Sequence, residues 1–299
     1  MYKIAVIGAG TMGNGIAHVF AQSGFMVQLV DLQADQLVKA ISVISKNMER
    51  QVQKGLLTAD EKTQSLDRIQ TIGQIKAGVK DADLIIEAAT ENEGVKLQIF
   101  RELDEFSMPD SILASNTSSI SITRIASVTK KSSRVIGMHF MNPVPLMKLV
   151  EVINGFATSS DVTEKIIELT GKLGKTPCVV NDYPGFVANR ILMPMINEAI
   201  ISLQEGVASV ESIDTIMKLG MAHPMGPLQL ADFIGLDVCL AILKVMLDEF
   251  GNQKYAPSIL LKNMVASGNL GVKTGRGFYD YRSGSKELKV DEKFSNWHG

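Results

Sequence analysis

The chain has 299 residues, 45% of them hydrophobic, and its 30 Lys and Arg against 32 Asp and Glu leave a formal net charge of −2. It is too apolar for a disordered chain, and its near-neutral charge removes the field that a dedicated nucleic-acid binder would use. At this length two domains are expected, burying roughly three quarters of the unfolded surface.

Residues 3–7 open with Lys3 and an apolar run, with no leader-like segment before them. The most apolar late stretch, 228–245, is interrupted by Asp232, Asp237 and Lys244, so no membrane span is expected. Cys178 and Cys239 have no Cys or His beside them at metal-like spacing, and both are expected to be buried thiols outside any disulfide. These features imply a soluble cytoplasmic protein without a metal site; an organelle protein stripped of its transit peptide would look the same.

Along the first 180 residues, β-branched runs alternate with amphipathic stretches. Strands are expected at 3–7, 26–31, 84–88, 112–115, 135–139, 148–153 and 178–180, and helices at 12–23, 34–54, 93–106 and 161–173. Several strands are nearly continuous Ile, Val and Leu, as in a parallel sheet covered on both faces. The fold class is therefore α/β, a doubly wound, mostly parallel sheet of Rossmann type. After Tyr183-Pro184-Gly185 the texture becomes helical, with patterns at 186–204, 210–219, 227–250 and 256–266. The expected domains are 1–184, with a helical excursion over about 34–68, and an all-helical 185–299. Apolar residues on several faces of the later helices point to a homodimer formed through that second domain. The polar tail from Ser283 is expected to be poorly ordered or to lie over the surface.

Gly8-Ala9-Gly10-Thr11-Met12-Gly13 follows the first strand and opens the first helix, and Asp31 ends the second strand. In that context the glycines permit a tight turn, close approach of a pyrophosphate and close helix–strand packing. Asp31 can accept hydrogen bonds from both ribose hydroxyls and would repel a 2′-phosphate, and Leu32-Gln33 supply no cation to hold one. NAD is the cofactor this favours.

Of four histidines, His18 falls within the first helix, His223 in a turn and His298 in the tail. His139 instead closes a strand, where open α/β sheets bind their ligands, although a lone strand-end histidine is as readily structural. Glu151 is an acid inside the apolar run 149–153, and a hairpin-like return through 140–147 would bring it beside His139. Such a carboxylate fixes the imidazole tautomer and makes the other nitrogen a general base; a surface-facing glutamate on an edge strand is the alternative. The hydroxyl-rich loop 115–119 lies at another strand end, where Ser119 would also serve as a helix N-cap. Asn189 falls just inside the first helix of the second domain.

Together these segments, with 184–190 and 226–232, resemble the L-3-hydroxyacyl-CoA dehydrogenases, especially the short bacterial 3-hydroxybutyryl-CoA dehydrogenases. The resemblance runs from Lys3 to about Tyr281. It implies that His139 and Glu151 form a catalytic dyad, that Ser118 and Asn189 hydrogen-bond the reacting oxygen or the thioester carbonyl, and that Asn142 supports them. It places Glu91, Lys96, Asn116 and Lys273 near the dinucleotide, and Arg50 and Lys54, on one face of the helix over 34–54, at coenzyme A. The implied substrate is an acyl-CoA. Two rivals are a dehydrogenase of free 3-hydroxy acids, whose relatives use a lysine in the region of Asn189, and a non-catalytic NAD-binding protein such as the lens λ-crystallins.

Overall fold

The computed structural model describes residues 3–284, 288–295 and 297. The chain divides into two compact units, Met1–Tyr183 and Pro184–Gly299.

The first unit is built on eight strands: β1 (Lys3–Ile7), β2 (Met26–Val30), β3 (Ile69–Ile72), β4 (Leu84–Glu87), β5 (Ile112–Ser115), β6 (Val135–Phe140), β7 (Leu149–Asn154) and β8 (Thr176–Asn181). Their order is β3-β2-β1-β4-β5-β6-β7-β8. The first six strands run parallel, β7 is antiparallel to β6, and β8 is parallel to β7. The chain reverses its direction of winding between β1 and β4, the crevice where doubly wound sheets hold ligands. Both faces are covered by helices, chiefly α1 (Thr11–Gln22), α2 (Ala34–Gln53), α3 (Ala59–Asp67), α4 (Ile75–Val79), α5 (Glu93–Phe106), α6 (Ile122–Ala126) and α7 (Ser160–Lys172). The central strands are fully buried, which explains their apolar runs, broken only by Glu87 and Ser115 at their ends.

Several expectations are corrected here. β3 was not anticipated, because Ile69-Gln70-Thr71-Ile72 is an edge strand whose two central residues face solvent. Ser121, not Ser119, caps α6, accepting from Arg124 N at 3.2 Å. Cys178 is exposed, since β8 is the other edge of the sheet, whereas Cys239 is buried.

The second unit contains α8 (Ala188–Gln204), α9 (Val210–Thr215), α10 (Pro227–Ile234), α11 (Leu236–Phe250) and α12 (Ile259–Ala266). The helix expected over 210–219 ends in a π-helical turn at Ile216–Gly220, and the one expected over 227–250 breaks at Gly235, whose φ is +101°. A short hairpin of β9 (Tyr279–Asp280) and β10 (Lys289–Val290) also departs from an all-helical unit. The described part of the tail packs rather than trailing: Phe294 is buried against Phe278 and Trp297, and Trp297 Nε1 donates to Leu203 O at 2.9 Å. His298 lies outside the described residues.

Two buried aspartates hold this unit together. Asp214 accepts from Leu228 N, Gln229 N and the Tyr279 hydroxyl, while Asp232 accepts from Phe278 N, Tyr279 N and the Tyr281 hydroxyl. A Cβ on Gly277 would stand 1.9 Å from an Asp232 oxygen, so only glycine fits there. Burial pushes the Asp232 carboxyl up to about 7, an effect that its hydrogen bonds reduce but do not cancel. A carboxyl raised on folding binds more protons in the folded state, so the stability it confers is complete below about pH 4 and lost as the pH rises through 7. In urea melts between pH 4 and 8, wild type should lose about 3 kcal/mol relative to Asp232→Asn. A pH-independent difference would contradict a raised carboxyl.

Candidate active site

The turn after β1 is shaped by contact distances. Gly8 has φ +99°, and a Cβ there would meet Ala88 O at 2.8 Å, while a Cβ on Gly13 would lie 1.7 Å from Gly8 O. Gly10, by contrast, has nothing within 4 Å of an added Cβ. Gly10 is the N-cap of α1 and no side chain caps that helix, which leaves its first-turn amides at Thr11 and Met12 without a side-chain acceptor. Met12 packs its side chain on the core, and Thr11 is exposed. Asp31 accepts from Ala9 N at 2.8 Å and Gln33 N at 2.9 Å, which braces the glycine turn. Amides at the positive end of a helix beside a carboxylate at the next strand end fit a dinucleotide: the amides could meet a pyrophosphate and Asp31 a ribose.

At the other side of the sheet, the antiparallel register sets His139 directly opposite Glu151. Paired residues project to the same face of a sheet, and here Glu151 Oε2 lies 2.8 Å from His139 Nδ1. The Glu151 side chain is 3% exposed and that of His139 12%. With Nδ1 engaged by the carboxylate, proton exchange with a ligand falls to Nε2. The return between the strands is pinned by the buried Lys175, whose ammonium donates to Val144 O and Met147 O, each at 2.6 Å. Burial holds the Lys175 amine below its usual range.

The loop after β5 is fixed from both ends. Asn116 Oδ1 accepts from Phe140 N at 2.9 Å, tying the loop to the residue after His139. Glu91 Oε1 takes Thr117 Oγ1 at 2.6 Å, Ser118 N at 2.8 Å, Ser118 Oγ at 3.2 Å, and the amide and hydroxyl of Ser119 at 3.2 and 3.0 Å. Downstream, Asp182 accepts from Ser121 Oγ, Ile122 N and Thr123 N. Partial burial pushes the Glu91 carboxyl up, but Lys96 and these donors outweigh it and leave it below the usual carboxylate range. Lys96 is itself buried, its ammonium 2.8 Å from both oxygens of Glu87 and 3.4 Å from Glu91.

A cavity of about 270 Å³ opens beside the glycine turn, lined by Gly10, Thr11, Lys39, Asn47, Asn142 and Val144 among others. Lys39 and Asn47 come from α2, and Arg50 and Lys54 continue the Asn47 face toward the helix end, Lys54 lying about 10 Å along the axis from Asn47. Arg50 Nη1 donates to Asn47 Oδ1 at 3.4 Å. In the second unit, Asn189 is buried in the first turn of α8, and Lys273 is paired with Asp237 at 2.6 Å. Sequence reasoning missed Glu87, Lys39, Asn47 and Asp182. Glu87 was detectable by the signal that singled out Glu151, an acid at an apolar strand; the others are polar residues on exposed or half-buried helix and loop positions with no such contrast.

Two family models match the chain: 3-hydroxyacyl-CoA dehydrogenase, NAD binding domain, over residues 3–183, and 3-hydroxyacyl-CoA dehydrogenase, C-terminal domain, over 185–281. The chain is 54% identical over 280 residues to a 3-hydroxybutyryl-CoA dehydrogenase of Bradyrhizobium diazoefficiens, covering 94% of this chain and 95% of that protein. It is 50% identical to a 3-hydroxybutyryl-CoA dehydrogenase of Clostridioides difficile, covering 93% and 99%. The crystal structure of (S)-3-hydroxybutyryl-CoA dehydrogenase from Ralstonia eutropha superposes with a TM-score of 0.90 at 48% identity, covering 93% of this chain and 98% of that one.

The glycine turn yields a separable test. Gly10→Ala should leave the melting temperature within a few degrees of wild type, since its Cβ meets no protein atom, yet weaken NADH binding at least tenfold in a fluorescence titration. Gly13→Ala, which drives a methyl into Gly8 O, should lower the melting temperature sharply. Unchanged NADH affinity in Gly10→Ala would remove the pyrophosphate from this turn.

Proposed function

The chain belongs to the 3-hydroxyacyl-CoA dehydrogenase family, and on that premise we propose that it interconverts (S)-3-hydroxybutyryl-CoA and acetoacetyl-CoA, with His139 and Glu151 as the acid–base pair. It is an NAD-dependent oxidoreductase. The observation that carries the site assignment is the 2.8 Å contact between Glu151 and His139 Nδ1.

The glycine turn and Asp31 would hold NAD, which when bound would supply the hydride acceptor for C3 of the hydroxyacyl group, or the hydride donor in the reverse direction. In oxidation His139 Nε2 removes the C3 hydroxyl proton as the hydride departs. In reduction the imidazolium polarises the ketone and delivers that proton to the nascent alkoxide. Glu151 stabilises the imidazolium by an opposite charge at hydrogen-bond range and holds the ring in one tautomer. Ser118 and Asn189 are assigned to the reacting oxygen or thioester carbonyl, with Asn142 in support. Glu91, Lys96, Asn116 and Lys273 are assigned to the dinucleotide side; for Lys96 the burial against Glu87 favours an indirect role. Arg50 and Lys54 would meet the coenzyme A phosphates, and Lys39 extends that basic face toward the glycine turn.

The second unit supplies the surface for a homodimer in this reading: Ile191, Ile216, Leu219 and Phe233 are large apolar side chains left exposed on it. Sedimentation should give twice the chain mass. We place the protein in the cytoplasm; no helix among the described residues is long and apolar enough to cross a membrane.

The deciding measurement is the loss of NADH absorbance on adding acetoacetyl-CoA, with NADPH and free acetoacetate in parallel. Turnover is expected with NADH and the thioester alone, and activity confined to the free acid would replace this reading with that of a hydroxy-acid dehydrogenase. His139→Gln should abolish turnover while NADH still binds, and Glu151→Gln should lower kcat on the order of 100-fold. Near-normal kcat in either variant would remove the dyad.

A further inference from the structure

We propose that Glu87 is a positioning residue for this reaction, acting through Lys96 and Glu91 to hold the loop that carries Ser118. The inference rests on the dehydrogenase reading above.

Glu87 ends β4 at the crevice beside β1 and is fully buried. Its oxygens accept from Ala89 N at 2.8 Å, Ser115 Oγ at 2.7 Å and the Lys96 ammonium. Lys96 reaches the same point from the first turns of α5 and is 1% exposed. Burial of the Lys96 ammonium is compensated by the opposite charge of Glu87 at two contacts. Lys96 then stands 3.4 Å from Glu91, whose other oxygen gathers five donors from three consecutive loop residues. An acceptor of five donors must stay ionised, and Lys96 favours that state. The three side chains therefore form an alternating series, negative, positive, negative, that runs from the sheet interior to the Ser118 amide and hydroxyl.

Loss of the Glu87 charge leaves Lys96 with Glu91 as its only carboxylate among these three. Their 3.4 Å separation can then close, drawing Glu91 away from the loop. A buried ion pair with a purely structural role behaves differently, because it can be replaced by neutral residues of similar size without loss.

The test separates these two roles by comparing melting temperature with turnover of acetoacetyl-CoA and NADH. Glu87→Gln, which strands the Lys96 charge, should lose about 10 °C in Tm. The double variant Glu87→Gln, Lys96→Met should recover most of that loss, yet keep kcat about tenfold or more below wild type. Glu91→Gln alone should show a similar kcat loss with a near-normal Tm. Combining all three substitutions should add nothing further to kcat, since they remove one device. Recovery of kcat together with Tm in the double variant, or additive losses in the triple variant, would overturn the proposal. Should the double variant fail to fold, Glu91→Gln decides, and normal turnover there overturns it. Absence of turnover in wild type would instead refute the dehydrogenase reading.

Discussion

The reversal of β7 against β6 is the constraint on which the geometry around His139 depends. Had the chain crossed over to add another parallel strand, as it does from β1 through β6, the nearest acid would have arrived at a register set by a distant helix. The short return through 141–148 makes β7 antiparallel, and antiparallel pairing places the partners of one pair opposite each other on one face. A slip of one residue would turn Glu151 to the other face, away from the imidazole. The return is accordingly over-determined. Lys175 holds two of its carbonyls, and a Cβ on Gly15 would come within 2.9 Å of Val144, so α1 packs tightly on the return. The same helix begins at the glycine turn, so one rigid element connects the dinucleotide crevice to the loop that fixes the histidine–glutamate register.

Carboxylates perform the same task in several loops that follow strands. Asp31 takes Ala9 N, Glu87 takes Ala89 N, Glu91 takes Ser118 N, and Asp182 takes two amides at the start of α6. Loops that approach a ligand cannot satisfy their amides through a ladder, so a side-chain acceptor must. A carboxylate has about four lone-pair sites, so Asp31 can brace the glycine turn and keep acceptor capacity for the ribose hydroxyls of the proposed dinucleotide. Structural and ligand-facing roles thus coincide in one group without competing.

The parts of this fold legible in the sequence were those with a strong local contrast. The buried strands β1, β4 and β5 are apolar runs interrupted only at one end, by Lys3, Glu87 and Ser115, and the glycine turn is specified by residue type at each position. Glu151 stood out because it is an acid within the apolar run 149–153, although an edge strand facing solvent would also have accommodated it. The elements that escaped lack that contrast. β3 alternates with polar residues because it is an edge. The break between α10 and α11 depends on one glycine at positive φ within an otherwise helical pattern. Cys178 was misjudged for a related reason, since its strand reads as apolar although the sheet ends there. The packing of Phe294 and Trp297 was hidden by the polar residues that separate them.

The second unit reaches rigidity by another route, and the contrast bears on how each unit tolerates charge. In the first unit Glu87 and Lys96 compensate their burial by pairing opposite charges, while the Lys175 ammonium is held by two carbonyls. In the second, Asp214 and Asp232 share like charge and are satisfied by amides and tyrosine hydroxyls alone. Neutral donors compensate a buried carboxylate less fully than a cation does, so the Asp232 carboxyl is pushed up to about 7. Burial also raises the Tyr279 and Tyr281 hydroxyls, which keeps both as donors when the aspartates ionise. The junction of α10 with β9 is therefore the place where the fold accepts an electrostatic cost, and Gly226 and Gly277 permit it by letting backbone and carboxylate approach where any Cβ would collide.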